Sequence, residues 1–140
     1  MDAYTDGARR GSHSTPGYCA CAFAVFNQGQ VVAQGSRYLG SGSNNYAEYS
    51  GLLELLMWAN HNSVKGLSIF SDAQLMIRQV SGEWQTKQEG LRPLRDLAYA
   101  LLMRGGHTLG WVRGHSGNAG NEHVDKLCNA VLDKELHVKE

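Results

Sequence analysis

The chain has 140 residues, with 13 Lys and Arg balanced by 13 Asp and Glu, so its formal charge is zero. At 42% hydrophobic and 19% charged, its composition is that of one globular domain over 1–140, not of a disordered or fibrous chain. Neutrality counts against gripping nucleic acid by bulk charge, no apolar run approaches the ~18 residues of a membrane span, and the polar opening Met-Asp-Ala-Tyr-Thr-Asp-Gly is no secretory signal. Cys19, Cys21 and Cys128 cannot make a disulfide framework, and a lone Cys-x-Cys is weak evidence for zinc. They read as reduced, buried thiols of a cytoplasmic protein.

Asp6 follows immediately on the first strand, and residues 7–17, rich in Gly and polar residues, read as a loop. Tyr18 to Phe26 is nearly all apolar, with Cys19, Cys21, Phe23 and Val25 on one face and Ala20, Ala22 and Ala24 on the other. This fits a strand covered on both sides, the alanines admitting a helix at close range. Asn27-Gln28-Gly29 is a turn, and Gln30 to Leu39 is the returning strand of a hairpin. Residues 40–45 form a loop supplying helix caps, and Tyr46 to Asn60 is helical, with Leu52, Leu55, Leu56 and Ala59 on one stripe. Leu67 to Ser71 is a strand, and Asp72 stands where an N-cap belongs, before a helix reaching about Gly82. A helix over Leu91 to Arg104 closes at Gly105-Gly106, Thr108 to Arg113 is a strand, and a last helix runs from about Asn121 to Leu136. The order βββαβααβα implies an α/β fold, a mixed five-stranded sheet flanked by helices.

Four acids stand out. Asp6 precedes a glycine, Asp72 ends an apolar strand, and Asp125 precedes Cys128, Leu132 and Leu136 on one helix face. Glu48 falls in the first helical turn in line with Gly51, Leu52, Leu55 and Ala59, where burying a charge is costly. Singly, each has a structural reading as a turn, a dipole partner, a cap or a surface acid. Together they suggest a ligand site at the ends of sheet elements. Four convergent carboxylates repel one another, and divalent cations relieve the repulsion. An all-oxygen set suits Mg²⁺ or Mn²⁺, and a pair of such ions can activate water against a phosphodiester.

Four motifs in order carry a resemblance. Tyr4-Thr5-Asp6-Gly7, Asn44-Asn45-Tyr46-Ala47-Glu48, Phe70-Ser71-Asp72-Ala73-Gln74 and Trp111-Val112-Arg113-Gly114-His115-Ser116-Gly117, followed by Asn121-Glu122 and Asp125, resemble the signatures of type 1 ribonucleases H over nearly the whole chain. The resemblance implies the ribonuclease H-like fold and endonucleolytic cleavage of the RNA strand of RNA–DNA hybrids to 5′-phosphate and 3′-hydroxyl ends. It implies Asp6, Glu48, Asp72 and Asp125 as ligands of two Mg²⁺ or Mn²⁺ ions, with His115 assisting proton transfer or product release. It places Gly7, Ser12, Ser43, Asn44, Asn45, Gln74, Arg113 and Asn121 at the substrate, with Arg9 and Arg10 as further candidates for phosphate. Neutral polar groups suit a partner recognised by shape and 2′-hydroxyls.

The chain departs from the family in three places. Ala73 replaces a serine, Ser12 stands near the place of an asparagine, and residues 85–90 replace a basic, Trp-containing protrusion, leaving Trp84 as a core or stacking residue. A monomer with no membrane partner is expected. Two alternatives stay open: another nuclease of the superfamily, acting on double-stranded RNA or DNA junctions, and a non-catalytic hybrid-binding module. The zero charge is also less neutral than it looks, since setting aside the four acids leaves 9 acidic against 13 basic residues.

Overall fold

The computed structural model describes residues 1–11, 17–114 and 117–137; Ser12 and His115 lie outside the described residues. Five strands, β1 (Asp2–Arg10), β2 (Tyr18–Asn27), β3 (Gln30–Ser41), β4 (Ser68–Ser71) and β5 (Thr108–Trp111), form one sheet in the order β3-β2-β1-β4-β5. The first three pair antiparallel, and β4 runs parallel to both β1 and β5. Parallel neighbours need crossovers, supplied by helix α1 (Asn44–His61) and then by α2 (Gln74–Val80) and α3 (Arg92–Gly105); α4 (Ala119–His137) closes the chain. The expected order holds, with a short 3₁₀ turn at Glu89–Leu91 added before α3.

The two faces of β2 explain the layers. Phe23 and Val25 join Leu52, Leu55 and Leu56 of α1, Met76 and Ile77 of α2, and Ala98 and Leu102 of α3 in the larger core. Ala22 and Ala24 meet Val124 and Cys128 of α4 on the other side. Alternation along one strand thus serves two helical layers, and the small side lets α4 lie close. All three cysteines are buried free thiols. Of the methionines, Met76 is buried, whereas Met1, Met57 and Met103 are exposed.

Several boundaries differ from expectation. β1 does not stop before Asp6: Asp6, Gly7, Ala8, Arg9 and Arg10 pair with Ala22, Cys21, Ala20, Cys19 and Tyr18, so pairing to β2 overrides the loop-like local sequence. Ser43 is the N-cap of α1, its hydroxyl accepting from the Tyr46 N–H at 3.1 Å. The helix therefore starts at Asn44, which puts Glu48 in its second turn rather than its first. Asp72 is not an N-cap: α2 begins at Gln74, behind Ala73, and has no side-chain cap. Among the described residues, no helix is long and apolar enough to cross a membrane.

Candidate active site

Strand register brings the first two acids together. β1 and β4 are paired at Asp2–Ser68, Ala3–Ile69 and Tyr4–Phe70, and two residues further along each chain stand Asp6 and Asp72. Tyr4, on the same face of β1 as Asp6, packs on Gly120 of α4, so Asp6 points toward that helix. Gly7 points the other way, toward α1. A β-carbon at Gly7 would lie 2.4 Å from the Glu48 nitrogen, and one at Gly51 would lie 2.6 Å from the Asp6 carbonyl oxygen. The paired glycines let α1 press onto β1 and carry Glu48 to the acid cluster. Gly7 is thus a packing residue; its predicted substrate role would have to be played by its backbone.

α4 supplies Asp125 and is pinned against β1 at two points. The Cys128 thiol, one turn beyond Asp125, donates to the Asp6 carbonyl at 3.6 Å. Arg10 ion-pairs with Asp133 at 2.6 Å and donates to Asn129 Oδ1 at 3.0 Å, while Asn129 donates to the Asp125 carbonyl at 2.9 Å. Arg10, a candidate phosphate contact in the sequence, is occupied in holding this helix.

Asp6 and Glu48 feel both burial and neighbouring acids. Asp6 is 7% exposed; burial, then the charges of Asp72, Asp125 and Glu48, push its pKa up to about 8, against a hydrogen bond from the Gly7 N–H. Burial and then Asp72 push Glu48 up to about 7, opposed by a 2.7 Å hydrogen bond from Asn44 Nδ2. Both acids lie near the pH at which they would have to ionise together, the state expected of convergent carboxylates without a counter-ion.

The other predicted positions separate into groups. Ser43 and Asn44 are exposed, Asn45 and Gln74 half-buried, and Arg113 exposed beside Gly114. Asn44 also holds Glu48, a link legible in their i, i+4 spacing but assigned only to substrate by motif. Asn121 is buried, 5% exposed, and donates to Asp72 Oδ2 at 3.4 Å. Trp111 Nε1 donates to the Asp72 carbonyl at 3.3 Å, and a β-carbon at Gly114 would stand 3.0 Å from Asp72 Oδ2. These two supports of Asp72 escaped sequence reading, because no spacing rule links β5 and its loop to the end of β4. Trp84 is a surface residue, 46% exposed, with the Arg78 guanidinium 5.5 Å from its ring centre.

Among the described residues, no group of three or more His, Cys, Asp or Glu side chains is gathered closely enough to hold a metal ion by itself. This is compatible with Mg²⁺, which binds through one or two carboxylates and keeps waters and substrate phosphates as its other ligands. A set of carboxylate oxygen donors fits a hard divalent cation and does not fit a soft one.

A family model for RNase H matches residues 1–133, and the chain belongs to the RNase H family. It is 36% identical to Ribonuclease HI of Halobacterium salinarum over 134 residues, covering 95% of this chain and 64% of that protein. The crystal structure of RNase H1 from the same archaeon matches with a TM-score of 0.81 at 33% identity, covering 95% of this chain and 97% of that one. The Bifunctional protein Rv2228c of Mycobacterium tuberculosis is 30% identical over 91% of this chain and 34% of its own length. The chain therefore spans only part of these two curated relatives. LC11-RNase H1, solved in complex with an RNA/DNA hybrid, shares the fold at 23% identity, with a TM-score of 0.76 over 96% of this chain and 98% of that one. Ribonucleases H generally use divalent metal ions.

Proposed function

We propose that this chain hydrolyses the RNA strand of RNA–DNA hybrids, leaving 5′-phosphate and 3′-hydroxyl ends, with Asp6, Glu48, Asp72 and Asp125 holding two Mg²⁺ or Mn²⁺ ions. One observation carries the reading: the β1–β4 register sets buried Asp6 level with Asp72, where α1 packs on β1 at Glu48 and α4 packs on it at Cys128, one turn from Asp125. When bound, the divalent cations would lower the pKa of a water and stabilise the leaving oxygen of the phosphodiester.

The protein's own part is to hold negative charge in fixed positions. Asp6 is the central acid, set by the strand pairing of β1. Asn44 fixes one Glu48 oxygen at 2.7 Å, so the second remains for the cluster. Preorganisation of this kind costs no rearrangement as the reaction proceeds. His115 is assigned the proton transfer or the release of product from its motif position.

The substrate face comprises Ser43, Asn44, Asn45, Gln74 and Arg113, with Ser12 from the segment after β1. These polar side chains suit a wide groove read by shape and 2′-hydroxyls. The RNA/DNA hybrid bound by LC11-RNase H1 supports this choice of substrate. The enzyme is proposed to act as a monomer and, given three buried free thiols, in the reducing cytoplasm.

The test is cleavage of four labelled duplexes, RNA–DNA hybrid, double-stranded RNA, double-stranded DNA and a DNA junction, with Mg²⁺ and with Mn²⁺. Cleavage of the hybrid alone, in its RNA strand and abolished by EDTA, is expected. Cleavage of a junction or of double-stranded RNA in preference would overturn the substrate, and hybrid binding without cleavage under every metal would overturn the chemistry.

A further inference from the structure

Asn121 sits in the first turn of α4, its own N–H accepted by Asn118 Oδ1 at 3.0 Å. Its motif position suggests a contact to substrate, but the side chain is 5% exposed and is turned inward. Nδ2 donates to Asp72 Oδ2 at 3.4 Å. Oδ1 is buried with no donor among the described residues. A buried amide with an orphan acceptor is unfavourable for folding compared with an apolar side chain of the same shape. What the amide offers in return is a neutral donor aimed at one acid of the cluster.

We propose that Asn121 is a positioning residue for the reaction, acting through Asp72 and not on the nucleic acid. Asp72 follows the last paired residue of β4, so no ladder partner fixes its side chain. Its carbonyl is held by Trp111 Nε1 and by the Gln74 N–H, at 3.3 and 3.0 Å. Its Oδ2 is flanked by Gly114, where a β-carbon would come within 3.0 Å. Asn121 completes this grip and occupies Oδ2, which leaves Oδ1 for the cluster. A Lys or Arg here would also orient the carboxylate, but would compete with cations for its charge. A neutral amide orients without competing, the function outer-sphere partners serve at metal sites.

This inference rests on the metal reading proposed above, and one titration separates the two. Mn²⁺ alone is titrated calorimetrically into the free protein, its Asp72→Asn variant and its Asn121→Leu variant, and hybrid affinity is measured in EDTA. Asn121→Leu is expected to fold with unchanged or raised Tm, bind Mn²⁺ ~10–100-fold more weakly, and bind hybrid within about twofold of the parent. Cleavage lost at low Mn²⁺ should return at high Mn²⁺. Asn121→Ala, which removes the donor and adds no charge, should weaken Mn²⁺ binding in the same direction, and serves if the leucine variant fails to fold. Unchanged Mn²⁺ binding in both Asn121 variants, with Asp72→Asn impaired, would overturn the positioning role alone. Weaker hybrid binding with intact Mn²⁺ binding would make Asn121 a substrate contact. Mn²⁺ binding indifferent to Asp72→Asn would overturn both readings.

Discussion

Gly7 of β1 and Ala47 of α1 lie so close that a β-carbon on Gly7 would stand 2.3 Å from the Ala47 carbonyl carbon. That carbon and the Glu48 nitrogen, 2.4 Å from the same point, both belong to backbone, so neither can swing aside as a side-chain tip can. Gly7→Ala should therefore push α1 off the sheet and cost about 2–4 kcal/mol, the range of severe overpacking. Glu48, the next residue, would move with the helix, so hybrid cleavage should fall at least ~10-fold even where the variant folds, since displacing a site residue by 1 Å can cost more than that. Urea denaturation and single-turnover cleavage check the two effects. Wild-type stability in Gly7→Ala would show that the helix is less firmly seated than these distances imply.

Asp6 links the cluster to stability. Its pKa is about 8 in the folded protein against 3.8 for the ordinary carboxyl, and Glu48 is raised from 4.5 to about 7. The folded state thus keeps protons that the unfolded chain releases. The stability tied to them is fully present below about pH 4 and is lost as pH rises through about 7 to 8. Without divalent ions, the protein should be less stable at pH 8.5 than at pH 5 on account of these acids. Asp6→Asn should flatten that fall, raise stability at pH 8.5 by about 1–3 kcal/mol and abolish cleavage with the circular dichroism spectrum unchanged. An alkaline slope identical to the parent's would refute the coupling, and wild-type cleavage with Mg²⁺ or Mn²⁺ would refute the metal site.

Two arginines that look alike in sequence should behave differently. Arg10 is engaged with Asp133 and Asn129 on α4, whereas Arg113 lies two residues beyond β5 with its side chain exposed. Arg113→Ala should weaken hybrid binding and lower the slope of log K against log salt by about one. Arg10→Ala should leave that slope intact and cost ~1 kcal/mol of stability, the scale of a partly exposed ion pair. Affinity measured at several salt concentrations distinguishes them. A reduced slope in Arg10→Ala would restore it as a phosphate contact.

The layers were legible because β2 writes them in a single strand: alanines for α4, Phe23 and Val25 for α1. Glu48 was legible because its helical phase faces inward. Legibility failed where long-range pairing decided the outcome. Residues 7–10 look like a loop until β2 supplies their partners, and Arg10 looks like a free cation until α4 supplies Asp133. Asp72 resembles a cap by spacing alone, yet the backbone turns into α2 one residue later, leaving its carboxylate to Asn121. Local rules located the acids; only tertiary register could reveal which neutral groups orient them.

The end of the sheet remote from the acids carries a titration of opposite sign. The Leu67 N–H donates to His107 Nδ1 at 3.0 Å, and burial lowers the histidine's pKa below its ordinary 6.5. Nδ1 can accept only while it carries no proton, so the imidazolium form forfeits this bond. Because the folded pKa is depressed, the stability from His107 is present above about pH 6.5 and is lost as pH falls through the lower folded value. It therefore opposes Asp6, and metal-free stability should pass through a maximum on the acid side of neutrality. His107→Phe removes the acceptor and leaves a backbone donor unsatisfied, at a cost of about 1–3 kcal/mol at pH 7.5. That cost should shrink as pH drops below 6, because the parent loses the same bond there, while the alkaline slope due to Asp6 stays as in the parent. Unfolding curves at pH 5, 6, 7.5 and 8.5 in EDTA test this, and a His107→Phe penalty independent of pH would show that the ring does not titrate with folding.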